Sequence, residues 1–339
     1  MRKTALIVPA FALLSGAIAW GVLAEVRESR LEALLEEIEA AEHRVAYAGV
    51  REISAGDTIT LKVLSAGDGR RHVEPASVRP RRPAFAGLLR PGLVQWKERV
   101  KDYHLAVRNY DIAFTGTEVV AGRLADLYEA RPKIAGRPTF RVAADRVHRL
   151  ALRFEVVAVD ATRFCAEFKE ISFPPASEIK IPPAAPPAAS WLKVGRTGVP
   201  LDRISEAAGF GVWAPARPAA GFELRGSELI RLDVELPEQA RRALPFPLPK
   251  IGGTVAHLAY TDGLAVVSVI EIDARSELWA FAKKFLPRAE ATSSGILAQK
   301  VKGAGGWAYL LEVEGTAVLV AGNVRENDIE SMIESLNRR

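Results

Sequence analysis

The chain has 339 residues, 49% hydrophobic and 26% charged, with a net charge of +5 and a single cysteine, Cys165. That length suits about two domains and excludes wholesale disorder or a fibre. One cysteine excludes both a disulfide framework and a thiolate zinc site within the chain.

Met1 to Thr4 supply a short positive start, and Ala5 to Ala24 run without a charge before Glu25. Small residues at Val22-Leu23-Ala24 complete the pattern of a secretory signal over 1–24, cleaved after Ala24. An uncleaved anchor is the alternative, since twenty apolar residues are about enough to cross a bilayer. Either way the pattern predicts an exported protein of the periplasm or cell envelope. No later stretch is apolar enough to span. Each half of the remainder is nearly neutral, so no basic domain is offered to nucleic acid. Arg79, Arg81 and Arg82 form one local cluster, read as a solvated loop or as a weak site for an anionic lipid or acidic partner.

Glu25 to Tyr47 reads as an amphipathic helix, with Leu31, Leu34, Leu35, Ile38, Ala41 and Val45 at helical spacing. After Gly49 the period becomes two. Ile59, Leu61 and Val63, then Leu105 and Val107, Phe140 and Val142, Leu150, Leu152 and Phe154, and Phe164, Ala166 and Phe168 alternate with polar residues. One helix followed by many antiparallel strands predicts an α+β fold. The prolines at 80, 83 and 91 predict loop and short helix over 75–100. Pro174, Pro175, Pro182, Pro183, Pro186 and Pro187 mark residues 174–190 as a linker between a domain at 25–173 and a second at 191–339.

In the second half, Gly209 to Phe222 reads as irregular. Val255 to Tyr260 and Leu264 to Ile272 predict a hairpin around Asp262-Gly263, and Gly306 to Val313 with Thr316 to Ala321 another around Glu314-Gly315. Helices are expected at Ser276 to Leu286 and from Asn323 to Leu336.

The search for catalysis finds little. His43, His72, His104, His148 and His257 make no metal-ligand spacing. Cys165 has no histidine near it in sequence and reads as a packed or surface thiol. Ser190 and Lys193 form S-x-x-K without the companion motifs of penicillin-recognising enzymes. No phosphate cradle or cofactor motif is present, and no cofactor is expected.

Several segments resemble the RseB/MucB family of periplasmic sigma-E regulators. They are Tyr47-Ala48-Gly49 after the first helix, Val119 to Arg123 followed by Tyr128 and Arg131-Pro132-Lys133, then Gly136-Arg137-Pro138 and Phe140-Arg141-Val142, and Arg163-Phe164 to Phe173. In the second half they are Gly221 to Leu224, His257 to Val269 and Gly322-Asn323-Val324. Two departures stand out. The family's Trp-x-Asp-x-x-Thr-Gly hairpin keeps only Asp145, and residues 225–250 look inserted.

The resemblance implies a half-open antiparallel β-barrel like the lipoprotein carriers, wrapped around helices, followed by a smaller α+β domain. It implies a non-catalytic partner of the extracytoplasmic part of a membrane anti-sigma factor, relieved by lipid or lipoprotein acyl chains. The face Leu61, Val63, Leu105, Val107, Phe140, Val142, Leu152 and Phe154 is the expected lipid site, with an ordinary core as the alternative. A lipid carrier and an uncharacterised hydrolase using Ser190 or Cys165 are the rival readings.

Overall fold

The structure is a computed structural model. It describes residues 29–54, 58–79, 102–158, 163–182, 192–234, 251–283, 289–292, 295–303 and 306–339. The expected signal at 1–24, the Arg81/Arg82 cluster, Ser190 and the segment 235–250 lie outside the described residues.

Residues 29–44 form helix α1. Strands β1 (Ala46–Ser54), β2 (Thr58–Ala66) and β3 (Arg71–Arg79) follow. Helix α2 (Tyr103–Asn109) precedes β4 (Tyr110–Val120), β5 (Arg123–Pro132), β6 (Thr139–Asp145), β7 (Ala151–Val157) and β8 (Arg163–Ser172). These eight strands form one antiparallel sheet in the order β3-β2-β1-β8-β7-β6-β5-β4. Among the described residues β3 and β4 do not pair with each other, so the sheet is open. Its strands are sequential hairpins except where β8 returns beside β1. Tyr47 and Gly49 set that return. Tyr47 is fully buried with its ring 5.7 Å from Phe168. A Cβ on Gly49 would lie 2.5 Å from the Glu170 carbonyl oxygen, so only glycine lets β1 and β8 close here.

The second half continues with β9 (Leu192–Gly198), helix α3 (Ile204–Ala208), β10 (Trp213–Pro215), β11 (Glu223–Val234), β12 (Ile251–Thr261) and β13 (Val266–Asp273). It ends with α4 (Glu277–Ala282), β14 (Glu290–Ala291), β15 (Leu297–Gly303), β16 (Gly306–Val313), β17 (Thr316–Gly322), α5 (Glu326–Glu334) and β18 (Leu336–Arg338). The sheet order is β14-β15-β16-β17-β13-β12-β11-β9, with β10 and β18 as a separate pair. The class is α+β and the pairing antiparallel throughout, as expected. The second sheet is not smaller in strand number: both have eight.

Four local expectations need correction. Leu105 and Val107 lie in α2, not in a strand. The Asp102 side chain accepts the Leu105 N–H and starts a helix, and Leu105, Ala106 and Val107 are all buried, which a one-sided strand would not allow. Pro75 lies in β3 instead of a loop. The strand is at the sheet edge and the register slips beside Leu61, the two settings that accept a proline. Within the segment 225–250 that looked inserted, residues 228–234 pair on both sides, with β9 and β12. The last helix stops at Glu334, and Leu336 opens β18, which pairs with Trp213–Pro215 in the segment expected to be irregular.

Two apolar cores result. One joins both sheets, with Val107, Tyr110, Ile112, Phe140 and Val156 from the first and Leu258, Tyr260, Val269, Val320, Ile329 and Met332 from the second half. The other lies within the first half around Tyr47, Val63, Leu150, Leu152 and Phe168. Helix α1 links them: Leu31 and Leu35 pack on the first core, Ala41 belongs to the second, and Val45 just past the helix borders it. Among the described residues no helix is long and apolar enough to cross a membrane.

Candidate functional site

The segments that carry the family resemblance come from distant parts of the chain, and several of them converge where the two sheets meet. Arg137 follows β5 and is almost fully buried, with a side chain 1% exposed. Its Nη1 donates to Asp328 Oδ2 at 2.9 Å and its Nη2 to the Ala220 carbonyl at 2.9 Å. Nε lies 3.7 Å from Asp262 Oδ2, and the guanidinium stacks 4.5 Å from the centre of the Phe222 ring. A buried guanidinium needs this density of partners, because its desolvation otherwise costs several kcal/mol.

Asp262 sits in the β12–β13 turn. Its Oδ1 accepts the Leu264 and Ala265 N–H groups, and its Oδ2 accepts the Tyr110 hydroxyl at 2.9 Å. Asn109 at the end of α2 donates to the Asp262 and Gly221 carbonyls. Burial pushes the Asp262 carboxyl up, against the backbone N–H groups, Tyr110 and Arg137, which favour its charged form. Burial, with Asp262 beside it, also drives the Tyr110 hydroxyl well above its ordinary value. Tyr110 therefore stays a neutral donor. Gly263 has φ +107°, and a Cβ there would lie 2.1 Å from the Ala106 backbone nitrogen. The turn can touch α2 only because that residue is glycine. At the rim, Arg225 pairs with Asp102 at 2.8 Å.

This junction holds two sheets in one relation and carries no nucleophile. Sequence reasoning quoted Arg137 and Asp262 only as parts of motifs and did not foresee their meeting. The available signal was the placement of glycines beside both, at Gly136 and Gly263.

The expected lipid residues fall into two groups. Val63 and Leu152 lie in the second core with Leu61 against it, whereas Val107 and Phe140 lie in the first core with Phe154 against it. Leu105 is buried in α2. Rings run across the strands between Tyr110 and Phe140 (5.6 Å), Phe140 and Phe154 (6.1 Å) and Phe154 and Phe164 (6.4 Å). Val142 borders a shallow cleft of about 340 Å³ with Tyr128, Arg141 and Arg153, and a second cleft of about 230 Å³ lies by Gly209, Gly252 and Ser276.

The structure also assembles a group that the sequence did not suggest. His257 Nδ1 lies 3.1 Å from Glu228 and its Nε2 3.2 Å from Ser268 Oγ. The three span adjacent strands β11, β12 and β13. His257 and Ser268 are only 3% and 4% exposed, and neither cleft reaches them. Burial pulls the imidazole down against the pull of Glu228, so it stays neutral and ties three strands together. Cys165 is half-buried, and burial followed by Glu155 and Glu167 raises its thiol. Lys193 lies in β9, and its expected companion Ser190 is outside the described residues. Among the described residues no group of three His, Cys, Asp or Glu is placed to hold a metal.

No family model and no curated protein sequence matches the chain. Solved structures do. The fold class they define is that of MucB. The chain is similar to MucB in a crystal structure of its complex with the periplasmic part of MucA, at 17% identity and TM-score 0.52, covering 91% of this chain and 99% of that one. The complex of Pseudomonas aeruginosa MucA and MucB is similar at 16% identity and TM-score 0.49, covering 91% of this chain and 99% of that one. A putative outer membrane lipoprotein-sorting domain from Vibrio parahaemolyticus aligns at 10% identity and TM-score 0.20, over 43% of this chain and 93% of its own, too low to inform the reading. The chain therefore has the MucB fold, across both sheets.

Proposed function

We propose that the chain is an exported, non-catalytic regulator that binds the extracytoplasmic part of a membrane-bound anti-sigma factor. The observation that carries this is the fold likeness to MucB held by MucA, which runs through both sheets. The buried junction supports it, since a partner that touches both halves needs them in a fixed relation. In this reading residues 1–24 direct export to the periplasm, and 25–173 and 191–339 are two domains joined by 174–190. The first curls as a half-open barrel around α1.

Lipid or lipoprotein acyl chains are the proposed second ligand, bound along Leu61, Val63, Leu105, Val107, Phe140, Val142, Leu152 and Phe154. The row of rings from Tyr110 to Phe164 gives Phe140 and Phe154 apolar neighbours within the packed core, which an acyl chain would have to part. The two ligands oppose each other, so acyl chains weaken partner binding and the partner weakens acyl binding by the same factor.

The test is titration calorimetry of the purified mature chain with the extracytoplasmic segment of a single-span membrane protein encoded beside it, with and without a long-chain fatty acid. Saturable binding that the fatty acid weakens is the expected result. Absence of binding, or turnover of a metabolite by the purified chain, overturns the reading.

A further inference from the structure

Glu271 places a carboxyl in the apolar face of the second sheet. Val267 and Val269 share its side of β13, and the residues paired with it, Ala256 in β12 and Val318 in β17, are fully buried. A strap of residues 211–217 and 335–339 lies against this face. Its strands β10 and β18 pair at Trp213 with Arg338, Ala214 with Asn337 and Pro215 with Leu336, and Val212 and Ala214 share the core with Val269 and Val318.

Separate bonds tie the strap down. The Trp213 N–H donates to Glu271 Oε2 at 2.8 Å, and Thr316 Oγ1 donates to the Gly211 carbonyl at 2.6 Å. Ser205 Oγ accepts the Val212 N–H at 2.8 Å and donates to the Arg339 carbonyl. The Ala216 N–H donates to the Ser335 carbonyl, just past α5, at 2.7 Å. Of these ties, the one at Glu271 ends on a group that can gain or lose a proton near neutral pH. The other titratable and charged groups around this face are engaged or turned outward. Tyr309 donates toward Glu326 and Glu330, Lys300 pairs with Glu326, and Asp273 holds Arg275. Glu206, Arg217, Glu334, Arg338 and Arg339 are exposed. Burial raises the Tyr260 hydroxyl in β12 to about 12, so it stays neutral.

We propose that Glu271 is a protonation latch: its neutral carboxyl holds the β10–β18 strap closed, and loss of its proton releases the strap and uncovers the apolar face beneath. Ionisation would leave a charge among Ala256, Val318 and Val269 with one backbone N–H to share it, and a buried charge so poorly paired costs several kcal/mol. Water can reach it by lifting the strap, which breaks three residue pairs, whereas parting β13 from either neighbour breaks seven. The strap continues α5, whose Asp328 holds Arg137, so release also loosens the helix that meets the first sheet. This goes beyond the anti-sigma reading and does not rest on it.

Hydrogen exchange of the full mature chain between pH 5.5 and 7.5, corrected for the intrinsic rate, tests the latch. The closed carboxyl titrates at about 8 and a water-exposed one at 4.5, so opening becomes about tenfold more favourable per pH unit between these values. Protection at residues 212–217 and 336–339 should fall by that factor, and should lie about tenfold or more below that of residues 256–260 and 267–270. Glu271→Gln keeps a neutral acceptor for Trp213 and should hold strap protection level with pH. The wild-type profile stands as a test even if that variant does not fold. Strap protection that is flat with pH in the wild type, that equals the protection of β12 and β13 throughout, or that falls equally in Glu271→Gln overturns the proposal, the second because the strap would then open only with the whole fold.

Discussion

Arg137 and Arg123 each meet a buried carboxylate, yet they do different work. Arg123 donates to Asp145 at 2.5 Å, and Asp145 also accepts the Val147 and His148 N–H groups. All these residues lie in or beside one turn, and Arg123 remains 30% exposed. Burial pushes the Asp145 carboxyl up, but the Arg123 and His148 hydrogen bonds outweigh it and hold the group below the usual carboxylate range. Arg137 instead joins residues 191 apart at Asp328 and is 1% exposed. The first cluster shapes a hairpin that would exist anyway. The second fixes how two sheets meet, and no local element requires it. A buried ion cluster thus gains its importance from what it connects more than from its burial.

Removing Arg137 gives the largest expected effect. Arg137→Met leaves Asp262 and Asp328 without their shared cation and should cost ~3–5 kcal/mol in chemical denaturation. Replacing Asp262 as well, in Arg137→Met with Asp262→Leu, should recover part of that loss, because the stranded charge is gone. A single-variant cost no larger than that of the hairpin variant would erase the distinction between the two clusters.

Asp145→Ala is expected to cost less, ~1–3 kcal/mol, with faster hydrogen exchange confined to residues 145–149. Spread of that opening to the β12–β13 turn would show that the hairpin and the junction are one cooperative unit.

A third buried carboxylate sharpens the contrast because it meets no cation among the described residues. Glu271 is fully buried, accepts the Trp213 N–H at 2.8 Å through one oxygen, and has no hydrogen-bond partner on the other among the described residues. Burial pushes its pKa from 4.5 up to about 8, against the Trp213 N–H. The folded state therefore keeps a proton that the unfolded chain has released. Its stabilising effect is complete below 4.5 and is lost as pH rises from 4.5 to about 8. Asp262, also raised, adds to the same trend within its own window. Glu271→Gln should flatten the fall in stability across this range by about 1.4 kcal/mol per pH unit, read from denaturation midpoints at several pH values. An unchanged slope would mean that the carboxyl is ionised in the fold and satisfied by groups other than Trp213.

Much of the architecture was legible in advance. Alternation located β2, β6, β7 and β8, and the Asp262-Gly263 and Glu314-Gly315 pairs located two hairpins in the second sheet. Spacing at three and four residues located α1 and the buried face of α5, Ile329, Met332 and Ile333. The two-residue spacing of Leu105 and Val107 misled, because two positions cannot distinguish a strand from one helical turn that is buried on several sides. The candidate site was legible only as motifs: Gly136-Arg137-Pro138 and Tyr260 to Gly263 stood out, but nothing linked them.

Sequence by itself determined the class, the strand-rich halves and their turns, because periodicity and turn chemistry act between near neighbours. Tertiary structure alone decided that Arg137 faces Asp262, that β18 returns to β10, and that β4 ends the strand order of the first sheet. These depend on contacts between segments far apart in the chain, and a buried arginine or an outer strand has the same local sequence signature as an exposed or an inner one.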